Sequence, residues 1–173
     1  MFSQEDDLLF QSYFCFILLI ELQRHLFLES DFFKDMSFGA PWIKTELAKL
    51  PLENQGSALI ALYVMLVVPK ELIWDKYPED QDALSDFLRA HTQNTRTTYG
   101  TDQPRVNFLR HIRNAVSHAR VAFRPHDVII FRDRNPHTGE EFETELPLAH
   151  LGEFLHRLQE IHLRYIRELQ SSH

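Results

Sequence analysis

Arg113, Asn114 and His118 stand inside one six-residue run, Arg-Asn-Ala-Val-Ser-His. Their types suit work on a phosphodiester. A histidine exchanges protons near neutral pH. An arginine fork donates to two phosphate oxygens at once. An asparagine can orient an imidazole or donate to a phosphate oxygen. RNA cleavage without a metal needs a base for the 2′-hydroxyl proton and a cation for the charge on a phosphorane-like transition state. It also needs a proton for the departing 5′-oxygen. One histidine leaves one of those two proton transfers unassigned. A structural reading competes. In it His118 caps the end of a helix, where the dipole favours a cation, and Arg113 binds a surface carboxylate.

The element that must position these residues is a helix over Val106 to Arg120. Val106, Leu109, Ile112 and Val116 recur at three- and four-residue spacing, and Phe108 and Ala115 widen the apolar stripe. Pro104 precedes the pattern, and Asp102 or Thr101 is expected to cap its first turn. Asn114 and His118 share a face at four-residue spacing. Arg113 and His118 lie about 140° apart on an ideal helix, an awkward angle for a pair acting together within one chain. Two copies facing each other, or a helix ending near His118, relieves it.

The run Arg113 to His118 resembles the R-x4-H signature of the HEPN superfamily, small helical proteins that include metal-independent ribonucleases. Arg followed directly by Asn is the commonest form of that signature. The resemblance implies a cytoplasmic ribonuclease of toxin–antitoxin or antiviral-defence type, acting on RNA without cofactor or metal. It also implies a homodimer in which two motifs form one composite site, so that the second chain supplies the missing proton transfer. Arg113, Asn114 and His118 are then the catalytic residues, and Arg110, Ser117 and Arg120 the expected substrate contacts. Arg120 stands where some HEPN toxins carry a tyrosine that an antitoxin modifies. Control through that tyrosine is therefore not expected here, while other pairing with an antitoxin stays open. The alternative is a HEPN-like dimerisation module that binds RNA, a nucleotide or a protein without cleaving anything.

Composition sets outer limits. The chain has 173 residues, enough for one domain spanning 1–173 with a real core. Five glycines and no Gly-rich phosphate-loop pattern argue against the common nucleotide-binding folds. Cys15 is alone, which leaves no intrachain disulfide and no cysteine-based zinc site; its place in an apolar run suggests a buried thiol. The longest apolar run, Tyr13 to Ile20, is too short for a membrane span. Glu5, Asp6 and Asp7 near the start do not fit a secretory signal. The formal charge is −7, against a general nucleic-acid coat protein. Yet Gln103 to His126 holds Arg105, Arg110, Arg113, Arg120 and Arg124 and no acid. This cationic segment either receives an anionic ligand or pairs with acidic helices elsewhere.

Periodicity predicts a mainly α fold, a bundle of four or five longer helices with a small β-hairpin or three-stranded sheet at about 120–146, before the last helix. Asp6 to Glu29 is apolar over more than one face and suits a central or shared helix, with Ser3 and Asp6 or Asp7 at its start. Asp31 to Gln55 suggests a loop, Pro51 included, with one short helix near Trp42 to Leu50. Ser57 to Tyr77 is helical, kinked near Val68 by Pro69 and ended by Pro78. Asp80 to Thr92 is a more polar helix, and Thr92 to Gln103 a polar loop. Val121 to Phe123 and Val128 to Phe131 are strand-like, separated by a turn through Pro125 and His126. Glu141 to Leu146 alternates strictly and suits an edge strand, its glutamates facing Arg132 or Arg134 across the hairpin. Leu148 to Leu169 is the closing helix. His150, His156 and His162 fall on different faces and suit surface or half-buried positions, not metal ligation, and His25, His91, His137 and His173 are isolated.

Overall fold

A computed structural model describes residues 3–50, 54–69, 72–124 and 127–171. Pro51, the Pro125–His126 turn and His173 lie outside the described residues. The fold is mainly helical, as the periodicity predicts, with seven α-helices and one four-stranded antiparallel sheet among the described residues.

Helix α1 spans Gln4–Arg24. The predicted start holds. Ser3 accepts the Asp6 amide at 3.0 Å, and Asp6 reaches back to the Ser3 amide at 3.3 Å, a reciprocal cap. Leu9, Phe10, Tyr13 and Phe16 face the core, while Leu8, Phe14 and Leu18 are exposed. The helix is therefore not central, and Cys15 is exposed rather than buried because it sits on that outward face. Beyond α1, two short helices, α2 (Asp31–Asp35) and α3 (Pro41–Leu47), replace the single one expected.

Helix α4 spans Gln55–Leu62 and widens into a π-helical turn at Tyr63–Val67. Pro69 is the physical cause. It lacks an N–H, and its ring crowds the carbonyl four residues back, so the last turn opens instead of continuing. The Val68 amide accordingly donates to the Tyr63 carbonyl, five residues back. Pro78 does not end a helix. It opens α5 (Pro78–His91), where its missing N–H costs nothing.

Helix α6 spans Phe108–Ser117 and α7 Leu151–Ser171. The strands are β1 (Gln93–Thr97), β2 (Val121–Arg124), β3 (Val128–Arg134) and β4 (Glu141–Pro147), in spatial order β1-β4-β3-β2. The predicted hairpin is thus a larger sheet that borrows β1 from the stretch predicted as a polar loop. Its partner β4 becomes a central strand rather than an edge. The polar sequence of β1 hid it: Thr95 meets the buried Thr144 hydroxyl at 2.6 Å, a contact with no apolar signature.

Helix α6 packs against β3 of the sheet and also against the π-helical turn and α5. Ile112 and Ala115 are fully buried there, and Phe108, Leu109 and Val116 nearly so. The outer strand face carries the charge. Arg132 pairs with Glu143, Arg134 with Glu141 and Arg124 with Glu145, as the alternation suggested for the first two. No helix among the described residues is long and apolar enough to cross a membrane.

Candidate active site

The first turn of α6 is capped by Asn107, whose side chain accepts the Arg110 amide at 3.0 Å. Neither Asp102 nor Thr101 takes that place. The helix ends at Ser117, and His118 is its C-cap. Ala119 then turns left-handed at φ 52°. The Arg120 amide bonds the Ala115 carbonyl at 2.8 Å, and the Ala119 amide bonds the Val116 carbonyl at 3.1 Å. This is the Schellman arrangement, with alanine where glycine is usual. The His118 amide still bonds the Asn114 carbonyl at 3.0 Å, so His118 is the last residue on the helical spiral and the chain leaves it at Ala119.

Asp102 has a different task, inside a buried polar cluster. His111 is fully buried on the apolar side of α6. Its Nδ1 lies 2.8 Å from Asp133 on β3, and its Nε2 lies 3.0 Å from Asp102. The ring thus bridges the two carboxylates, and the Arg110 guanidinium also lies 3.0 Å from Nε2. The same Asp133 oxygen accepts the Asn114 amide at 3.1 Å. Arg110 donates to Asp102 at 3.1 Å and to Thr101 at 3.0 Å, over the Tyr99 ring. Arg110 and the His111 ring give both buried carboxylates polar partners, which makes burial of the set tolerable. Burial alone raises the Asp102 carboxyl. Hydrogen bonds from Thr97 and His111 together outweigh it and hold the group below its ordinary value. Burial, and then the charge of Asp133, pushes the Tyr99 phenol up to about 12.

The structure thus separates the six predicted site residues into two sets. Asn114 and Arg110 are bound into the buried cluster. Arg113, Ser117, His118 and Arg120 stand at the open side and end of α6. Arg113 is half-buried, and its guanidinium makes no ion pair or hydrogen bond among the described residues. Burial and the neighbouring Arg110 lower its pKa, opposed by Asp75. His118 is exposed, and its ring has no partner among the described residues. The Ser117 hydroxyl turns back onto the Asn114 carbonyl at 3.1 Å. Arg120 donates to the Arg134 carbonyl at 3.1 Å.

Three arginines of the cationic segment are paired within the fold. Arg105 pairs with Asp82 and Asp86, Arg110 with Asp102, and Arg124 with Glu145. Arg113 and Arg120 have no such carboxylate among the described residues. Sequence reasoning missed His111, Asp102 and Asp133 as supports of the motif. A signal was available: His111 lies at helical spacing between Phe108 and Ala115, inside the apolar stripe. Among the described residues, no cluster of His, Cys, Asp and Glu is arranged to hold a metal ion.

A family model described as HEPN pEK499 p136 matches residues 9–169. No curated protein and no solved structure matches the chain.

Proposed function

The chain belongs to the HEPN pEK499 p136 family, and from that membership we propose that it is a metal-independent endoribonuclease working through Arg113, Asn114 and His118. One observation carries the reading. Arg113 is a partly desolvated guanidinium with no ion pair or hydrogen bond among the described residues, five residues before an exposed histidine at the open end of the same helix. A cation held partly out of water binds an incoming phosphate more strongly than a fully solvated one.

The chemistry is transesterification. His118 takes the proton of a 2′-hydroxyl, the 2′-oxygen attacks phosphorus, and the bond from phosphorus to the 5′-oxygen breaks. Arg113 holds the non-bridging oxygens as their charge grows. Asn114 is fixed by Asp133 and positions the helix end rather than moving protons. The departing 5′-oxygen needs a proton, and His118 of a second copy is the group proposed to give it. The exposed apolar face of α1, with Leu8, Phe14 and Leu18, supports a dimer. Cytoplasmic RNA cleavage of this kind suits a toxin held by an antitoxin, or antiviral defence.

The test is cleavage of RNA in excess EDTA, with a 2′,3′-cyclic phosphate and a 5′-hydroxyl as products. His118→Ala is expected to slow it about 10²-fold or more. RNA left intact by the wild-type protein, or cut as fast by His118→Ala, sinks the catalytic reading. The second reading, binding without cleavage, is favoured by the commitment of Asn114 to Asp133 and by the lack, among the described residues, of a side chain bonded to the His118 ring. It predicts an intact RNA shifted in a gel in an Arg113-dependent way.

A further inference from the structure

The outer face of the sheet carries a row of charges that the motif does not use. Arg132 stands opposite Glu143, and Glu143 stands opposite Arg96. The Arg132 amide bonds the Arg120 carbonyl at 3.0 Å, which sets Arg120 beside Arg132 on the far side. Arg120, just before β2, therefore lines up with Arg132 on β3, Glu143 on β4 and Arg96 on β1, a row about 14 Å long at the usual strand spacing. They line an open cleft of about 570 Å³, together with Arg134, Glu141, Thr97 and Thr98. Asp133 also borders it, but this side chain is buried and held by His111 and Asn114.

Arginine dominates here in a chain whose formal charge is −7. Arg96 is exposed and has no ion pair or hydrogen bond of its side chain among the described residues. Arg120 spends one N–H on a backbone carbonyl. Arg132 and Arg134 pair with Glu143 and Glu141 at the surface, where such pairs are weak and exchange readily for another anion. The row begins two residues after His118. No exposed aromatic ring lies among the cleft residues, since Phe142 is buried. The cleft offers guanidinium groups to phosphates and no aromatic ring to bases.

We propose that this cleft is a phosphate track that carries a single RNA strand across the sheet toward His118, without reading its sequence. The proposal rests on the ribonuclease reading for the identity of the polyanion. It predicts binding that is salt-dependent and indifferent to base, because the contacts are to the backbone.

The experiment measures fluorescence anisotropy of labelled oligo-U and oligo-A of about twelve nucleotides, with the full-length His118→Ala protein so that strands stay intact. Salt is varied between roughly 50 and 200 mM. Both strands should bind with similar affinity. Arg96→Gln should weaken binding and flatten the log–log salt slope by about 0.7, and Arg96→Gln with Arg132→Gln by about twice that. Arg96→Lys should keep the slope, and Arg24→Gln, on α1 away from the cleft, should change nothing. Melting of each variant shows that it is folded; if Arg96→Gln is not, Arg96→Met takes its place with the same expected slope change of about 0.7. Wild-type slope in folded Arg96→Gln, or no binding of either strand, overturns the track. His118-dependent cleavage alongside an unaltered Arg96→Gln leaves the ribonuclease standing and the track refuted. Arg96-dependent binding without cleavage does the reverse.

Discussion

His111 on α6 and Asp133 on β3 meet at 2.8 Å in the protein interior, and the same carboxylate oxygen holds Asn114 at 3.1 Å. The motif helix is thereby bolted to the sheet at the residue next to Arg113. Removing Asp133 leaves the buried His111 Nδ1 and the Asn114 amide without their shared acceptor. Asp133→Ala is expected to cost about 3 kcal/mol or more in urea denaturation, and to slow RNA cleavage through loss of the Asn114 anchor. Asn114→Ala gives up one hydrogen bond and should cost about 1 kcal/mol. Equal stability of Asp133→Ala and wild type would show that the cluster does not form.

Arg113 and His118 should behave oppositely to Asp133. His118 is exposed, so His118→Ala should melt within about 0.5 kcal/mol of wild type while its cleavage rate falls. Arg113→Ala should lose activity to a similar extent, and Arg113→Lys should recover little of it, since an ammonium cannot reproduce the planar fork. Full activity in Arg113→Lys would remove the bidentate role.

A pH effect comes from a residue outside the site. His162 on α7 is fully buried against Tyr13, and Nδ1 faces the Leu158 carbonyl at 2.8 Å. Burial lowers its pKa from the ordinary 6.5 to about 4. The unfolded chain therefore binds this proton first as pH drops. Stability should be complete above about pH 6.5 and fall between 6.5 and 4, by up to about 3 kcal/mol. His162→Leu should flatten that portion of the stability curve. An unchanged acid limb in the variant would assign it to carboxylates instead.

The end of α6 makes a simpler prediction. Ala119 holds φ 52°, a conformation costing an ordinary residue about 1 kcal/mol relative to glycine. Ala119→Gly should raise the melting temperature without altering the fold. A lower melting temperature would mean that the alanine methyl contributes packing that outweighs its strain.

Dimerisation can be tested on α1, where Leu18 is 57% exposed beside Phe14 at 54%. Wild-type protein should sediment as a dimer at micromolar concentration, and Leu18→Glu as a monomer. Restored cleavage on mixing inactive Arg113→Ala and His118→Ala chains would demonstrate a shared site. A wild-type monomer under these conditions argues against one.

Local pattern decided much of this protein. The apolar spacing of Leu109, Ile112 and Val116 defines α6 because burial on one face needs that period and little else. The Ser3 cap, the interruption before Pro69 and the facing of Glu143 by Arg132 are likewise properties of neighbouring or near residues. The Arg113–His118 run was legible as a motif for the same reason. Tertiary structure decided the rest. Strand β1 has no apolar alternation, so only its pairing with β4, some fifty residues later, makes it a strand. The end of α6 carries no glycine signal, and the chain reverses at Ala119 because β2 must return beside β3. The buried exchange among His111, Asp102 and Asp133 joins a turn, a helix and a strand. Its hydrogen bonds offset the desolvation of each member, a balance that no single stretch of sequence contains.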